Sequence, residues 1–473
     1  MILYHASTMY HLLYCIVHKL TVHENEPCRL LLVESIATQK ERRRLLGRLR
    51  GRGWFEQVNF IPEGKLKFGR GRGLNEHSSD KEIEAAVKKI CRNFALWFRE
   101  DLRSFDKIYA AADQWSFGIS LLYNKVPYIY MEDAGGMLSQ QERYLAITKG
   151  FSPTNYYISE YLGGAGRNDI VTKKLCDLAC QQPGFADERA EDFSIHKALR
   201  EKIPHHIDDI LYFYRLEKIE VQDDERYGLF LTQYIKTMAD WSLDSQECLT
   251  TLLVDYICPK HKLMLKAHPK DRWLNYRRMF PHATILPNGF PAELLPFILD
   301  KPFDVALTAS STSIGGVAPF STHAYNFGTE IETKWQRLHL MAAAVHVLKT
   351  LGIKSAGVRC MNEEQMRHLL DVNGISNGNE ALIDGGLEGY HDEVSLAPLT
   401  LLLQFDESEH MAVCDAQIEV KLLPREGSIL LPAKFTIYAT CDDAAMLEKL
   451  RSVDEKIKLK FSKAMLEIKG VPA

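Results

Sequence analysis

Short apolar runs alternate with segments of helical spacing twice along this chain, and no other feature limits its fold so tightly. Residues 2–6, 30–34, 54–61, 106–112 and 126–131 read as buried strands. Residues 8–19, 38–49 and 80–99 read as the helices between them. In the last of these, Ile83, Ala86, Val87, Ile90, Phe94 and Trp97 form one apolar stripe. Strands apolar on both faces and separated by such helices belong to a parallel sheet covered on both sides. The rhythm restarts with strands expected at 227–232, 262–266, 284–286 and 304–308. Helices are expected at 245–257, at 291–298 with Pro291 at its start, and at about 333–351.

The expected fold class is therefore α/β, with two Rossmann-like domains. Residues 1–150 form the first domain and 226–380 the second. Between them, 151–225 reads as a helical, polar interdomain segment without a clear strand, in which Tyr212 to Tyr214 are expected to be buried at a junction. Residues 381–473 break the rhythm and read as an appended α+β module. Its strands are expected at 416–422 and 429–439, and a charged helix at 442–463.

Composition narrows the class. With 473 residues, 46% hydrophobic and 25% charged, the chain can bury more than one core, which excludes disorder, collagen and a disulfide scaffold. No apolar run of about 18 residues is present, so no membrane span is expected. The first residues lack the basic start and cleavage site of a signal peptide, which predicts a cytoplasmic protein. The ten cysteines are scattered, with only Cys176 and Cys180 close together, and read as free thiols.

A net charge of -4 hides one strongly basic segment. Six arginines lie between Arg42 and Arg52, followed by Lys65, Lys67, Arg70 and Arg72. Three readings are open: a solvated helix face followed by a loop, peripheral contact with the inner membrane surface, or a grip on a polyanion. No aromatic residues are interleaved for base stacking, so no nucleic-acid partner is expected.

Three motifs fall at expected strand ends, where open α/β sheets bind ligands. In Tyr130-Met131-Glu132-Asp133-Ala134-Gly135-Gly136, two carboxylates leave a buried strand and meet a glycine turn, either as a general base or as solvated turn acids. In Lys266-Ala267-His268-Pro269-Lys270-Asp271, the proline keeps His268 extended just past a strand. That imidazole suits contact with a leaving phosphate, or a structural bond to a carbonyl. Ser310-Ser311-Thr312-Ser313 with Gly315-Gly316 can cap a helix or present N–H groups and hydroxyls to a phosphate. Phe68-Gly69-Arg70-Gly71-Arg72-Gly73 lacks the full dinucleotide glycine spacing and reads as a basic loop.

In order and placement these motifs resemble those of the bacterial sialyltransferases and α-2,8-polysialyltransferases. Those families carry an acidic-glycine, an HP and a serine motif on the GT-B fold, two Rossmann-like domains facing a cleft. Ala6-Ser7-Thr8-Met9-Tyr10-His11-Leu12 and Leu231-Thr232-Gln233 look like the openings of the two halves. The likeness covers the organisation of residues 1–350 and, as motif, only the residues quoted. It departs at Ala134, which separates the acidic pair from Gly135, so Glu132 and Asp133 both stay candidates for the base.

The resemblance implies an inverting, metal-independent transfer of a sialic-acid-like sugar from a CMP-sugar to a glycan acceptor, in bacterial surface polysaccharide synthesis. No cofactor is implied beyond the CMP-sugar as donor substrate. Asp133 or Glu132 would be the base and His268 the acid. Ser310, Ser311, Thr312, Pro269 and Glu293 would bind the donor, while Ser7 and Thr8 would line the acceptor side. A single leaving phosphate suits hydroxyls, a histidine and a helix N-terminus. The chain has no D-x-D triplet for a divalent cation. The alternatives are a Kdo transferase using CMP-Kdo, a CDP-alcohol-dependent capsule polymerase, a nucleotide-sugar epimerase, and a polysaccharide-assembly scaffold.

Overall fold

The computed structural model describes residues 1–67, 73–232, 250, 254, 257–258, 260–269, 271, 274–287, 289–309, 311–326, 344–345, 348–349, 351–360 and 363–385, with strands at 399–405, 418–421, 428–431, 435–441 and 464–470. The chain divides into two compact units. The first comprises Met1–Val221, Gly289–Pro302 and Gly315–Phe320, and the second Gln222–Asn288, Phe303–Ile314 and Ser321–Ala473.

The first unit is built on a seven-stranded sheet of β1 (Ile2–Ala6), β2 (Cys28–Val33), β3 (Gln57–Ile61), β4 (Lys107–Ala111), β5 (Tyr128–Met131), β6 (Val171–Cys176) and β7 (Ala190–Asp192). Their order is β3-β2-β1-β4-β5-β6-β7, and every neighbouring pair is parallel. This order reverses direction between β1 and β4, the switch point at which such sheets bind ligands. Helix α1 (Met9–Val22) follows β1 and α2 (Gln39–Arg52) follows β2. The helix Asp80–Phe98 buries Ile83, Val87, Ile90 and Phe94, as its stripe predicts.

The stretch 151–225 contains two strands, β6 and β7, rather than none. Adjacent lysines disguise β6. Lys173 is paired with Glu191, and Lys174 is buried against Asp187. Each lysine is tolerated in the sheet because an acid is within reach. Tyr212 also departs from expectation. In the helix Ile207–Tyr214, Phe213 and Tyr214 are buried, but Tyr212 points outward and is 73% exposed, because the helical period carries it off the apolar face.

Residues from the second half of the sequence return to the first unit. Ile219 N–H donates to the Ile298 carbonyl at 2.8 Å, and Arg200 lies 4.5 Å from the centre of the Phe320 ring. The helix expected at 291–298 is a 3-10 turn, Ala292–Phe297, with Pro296 inside it. A proline there removes the N–H that a longer α-helix would need.

In the second unit, β8 (Tyr227–Leu231), β9 (Lys262–Lys266), β10 (Thr284–Ile285), β11 (Phe303–Thr308) and β12 (Ser321–Asn326) form a parallel sheet. Its order, β10-β9-β8-β11-β12, repeats the arrangement of the first sheet, with the switch point between β8 and β11. The chain is thus α/β with two parallel sheets of one strand order. β12 escapes the sequence pattern because it is mostly exposed and lacks an apolar run. A third sheet orders Ser355–Cys360, Ser376–Gly385, Leu399–Phe405, Phe435–Cys441 and Ala464–Gly470, with one antiparallel pair. Ile418–Lys421 and Ser428–Leu431 pair antiparallel beside it in sequence. The helices expected at 333–351 and 442–463 fall wholly or mostly outside the described residues, as does most of 245–257. No helix among the described residues is long and apolar enough to cross a membrane.

Candidate active site

At the carboxyl edge of the first sheet, β1 and β5 deliver their loops toward one another. Thr8 caps α1, its hydroxyl accepting from His11 N–H at 3.1 Å, which fixes the first helical turn. That turn buries the His11 imidazole completely. His11 Nε2 lies 3.1 Å from Asp133 Oδ1 and 3.2 Å from the Asp133 carbonyl. Both neighbours of Nε2 are acceptors, so this nitrogen carries the proton. Nδ1 then accepts from the Ser7 hydroxyl at 3.0 Å. A chain runs from Ser7 through His11 to Asp133, and only its last member, with a side chain 31% exposed, reaches solvent.

The two adjacent acids have different surroundings. Glu132 is fully buried, and its carboxylate accepts from Asp177 N–H at 2.8 Å and Gln181 Nε2 at 3.0 Å. Burial nevertheless dominates and pushes its pKa up to about 8. The glycine turn that follows has a steric cause. Gly136 has φ 82°, and an added Cβ would collide with the Cys180 carbonyl oxygen. Gln181 braces the same turn by accepting from Ser139 N–H at 2.9 Å.

A third acid, Asp113, follows β4 at this edge. It accepts from Tyr128 OH at 2.6 Å, Ala165 N–H at 2.7 Å and Gly166 N–H at 3.0 Å, and it is fully buried. Its role is to tie loops together. His5 is buried one strand inward with Nδ1 on the Ala111 carbonyl at 2.8 Å, and burial pushes its pKa down to about 3, so it stays neutral.

At the carboxyl edge of the second sheet, Thr232 holds the His-Pro loop. Its hydroxyl accepts from His268 N–H at 2.9 Å and donates to Asp271 Oδ2 at 2.9 Å. Tyr276 OH donates to the same carboxylate oxygen. His268 is half-buried and Pro269 is exposed. After β11, Thr308 donates its hydroxyl to the Leu231 carbonyl at 2.8 Å and accepts from Ser311 N–H at 3.0 Å. Ser311 is buried, and its hydroxyl accepts from Ser313 N–H at 3.3 Å. Thr312 opens a 3-10 turn, Thr312–Gly316. Ser310, Lys270 and Gln233 lie outside the described residues, as do 68–72 of the basic loop.

The expected site residues therefore fall into two groups. Ser7, Thr8, Glu132 and Asp133 gather at one sheet edge, with Thr8 acting as a helix cap and Glu132 held away from solvent. His268, Pro269, Ser311 and Thr312 belong to the other sheet. Glu293 belongs to the first unit, where Gly316 lacks a Cβ that would stand 3.0 Å from its Oε1. Sequence reasoning missed the roles of His11, Thr232 and Asp271. The Ser7-x-x-x-His11 spacing is the one local signal for His11. Among the described residues, no three His, Cys, Asp or Glu side chains are grouped to hold a metal ion.

No family model matches this chain, and no curated protein matches it. Among solved structures it is similar to UDP-GlcNAc 2-epimerase from Neisseria meningitidis, at 10% identity and TM-score 0.40 over 72% of this chain and 91% of that one. It is similar to UDP-GlcNAc 2-epimerase from Methanocaldococcus jannaschii at 8% identity and TM-score 0.42, over 72% and 92%. A UDP-glucosyltransferase from Polygonum tinctorium has 11% identity and TM-score 0.36, over 79% and 97%. Identities and TM-scores this low assign no chemistry to the chain.

Proposed function

We propose that this chain is a GT-B glycosyltransferase that moves a sialic-acid-like sugar from a CMP-sugar to a glycan hydroxyl with inversion. The observation that carries the reading is the Ser7–His11–Asp133 chain at the switch point of a Rossmann-order sheet. It provides one solvent-reaching carboxylate held by a buried imidazole. In the reaction, Asp133 takes the proton from the acceptor hydroxyl as its oxygen bonds to the anomeric carbon. The bond from that carbon to the phosphate oxygen breaks, and CMP leaves. His268 protonates or hydrogen-bonds the departing phosphate, and Ser310, Ser311 and Thr312 hold it. Pro269 and Glu293 complete the donor side, and Ser7 acts through His11. The base is Asp133 rather than Glu132, because Glu132 has no path to solvent and already accepts from two donors. We place this activity in bacterial surface polysaccharide synthesis on the cytoplasmic side.

The test is CMP release from CMP-sialic acid in EDTA, with and without glycan acceptors. Slow release alone and fast release with acceptor support the reading. Activity with CMP-Kdo or a CDP-alcohol instead moves the donor class. Interconversion of free UDP-sugars without acceptor means an epimerase. No turnover of any donor means an assembly scaffold.

A further inference from the structure

We propose that the outward face of α2 docks on an anionic lipid bilayer. Seven of the fourteen residues of α2 are basic, and Glu41 is its single acid. The helical period places Lys40, Arg43, Arg44, Gly47, Arg50 and Gly51 on one side, and all six are exposed. Leu45 and Leu49 anchor the opposite side in the core. The other arginines are engaged by the protein. Arg42 pairs with Glu34, Arg52 pairs with Asp209, and Arg48 lies over the Phe213 ring. Lys40, Arg43, Arg44 and Arg50 have no ion pair among the described residues, which leaves a stripe of four cations facing outward.

Two further features favour a flat, anionic surface. Gly47 and Gly51 lie inside the helix on this stripe, and a Cβ at either would meet nothing within 4 Å. Packing does not require these glycines, although glycine is a poor helix former. Their absence of side chains lowers the stripe between the cations, so a plane of headgroups can approach the backbone. Beside the stripe stands exposed Tyr212, its ring 5.2 Å from the Arg52 guanidinium. An aromatic ring with a polar tip beside cations suits the headgroup level of a membrane. Base stacking would need several such rings along the stripe, and among the described residues there is one.

The test is co-sedimentation of the full chain with phosphatidylcholine vesicles and with equal mixtures of phosphatidylcholine and phosphatidylglycerol. Binding should need phosphatidylglycerol, weaken with salt, and fall by more than about tenfold in the Arg43→Glu/Arg44→Glu/Arg50→Glu variant. The Gly47→Ala/Gly51→Ala variant should melt at a higher temperature yet bind these vesicles less tightly. Should the charge reversal prevent folding, a Tyr212→Trp variant gives a second readout, a blue shift of emission on anionic vesicles. Equal binding to both vesicle types, no binding, no blue shift, or tighter binding to single-stranded DNA than to vesicles would each overturn the proposal. None of these outcomes depends on sugar transfer.

Discussion

His11 and Asp133 are joined across 122 residues of sequence by a 3.1 Å contact from Nε2 to Oδ1. The imidazole is held from behind by Ser7, so the carboxylate keeps one orientation. Asp133→Asn removes the base and should lower turnover by about 10²–10⁴-fold. His11→Asn removes only the support and should lower kcat about tenfold with little change in KM. Steady-state kinetics on both variants checks the difference, and equal losses would mean that His11 and Asp133 act as one unit rather than as support and base.

Thr232 joins β8 to the His-Pro loop through one hydroxyl that both accepts and donates. In Thr232→Val that oxygen is lost and buried Asp271 loses a donor. Destabilisation of about 1–3 kcal/mol is expected, measured by denaturant unfolding. His268→Ala leaves these bonds in place, since only the backbone of His268 joins them. It should therefore weaken CMP binding without breaking the Thr232–Asp271 bond.

Much of this architecture is legible in the chain. The five strands expected before residue 135 exist and are parallel, because strands buried on both faces must be apolar throughout. β6 and β7 were hidden by charge, since Lys173 and Lys174 look solvated until Glu191 and Asp187 are placed beside them. The candidate site divides in the same way. Asp133 and His268 stand out as motif residues. Thr232 and Asp271 meet through the strand order, and His11 has a local partner in Ser7 but reaches Asp133 only through the fold. Tyr212 shows the opposite error, since an aromatic triplet read as buried turns one ring outward.

Glu132 makes stability depend on pH. Its pKa is raised from the usual 4.5 to about 8 in the folded chain. Between those values the folded state keeps a proton that the unfolded chain has released, so this group's contribution to stability falls as pH rises through that window. Glu132→Gln should flatten the decline in melting temperature between about pH 5 and pH 8. Calorimetric scans at several pH values read the slope directly, and parallel curves would show that Glu132 does not titrate there.

Gly136 tests the glycine turn. Its left-handed backbone and the nearby Cys180 carbonyl leave no room for a side chain. Gly136→Ala should cost about 1–3 kcal/mol of stability and displace the loop that carries Asp133. Gly47→Ala, in an open helix position, is the matched control and should be neutral or stabilising.

In the proposed reaction the second sheet holds a CMP leaving group through His268 and the serine loop. Isothermal titration of the full chain with CMP, UDP and CDP in EDTA addresses it most directly. Micromolar binding of CMP alone is expected, lost in His268→Ala and in Ser311→Ala. Preference for UDP or CDP, a requirement for a divalent cation, or CMP binding unchanged in both variants would contradict it.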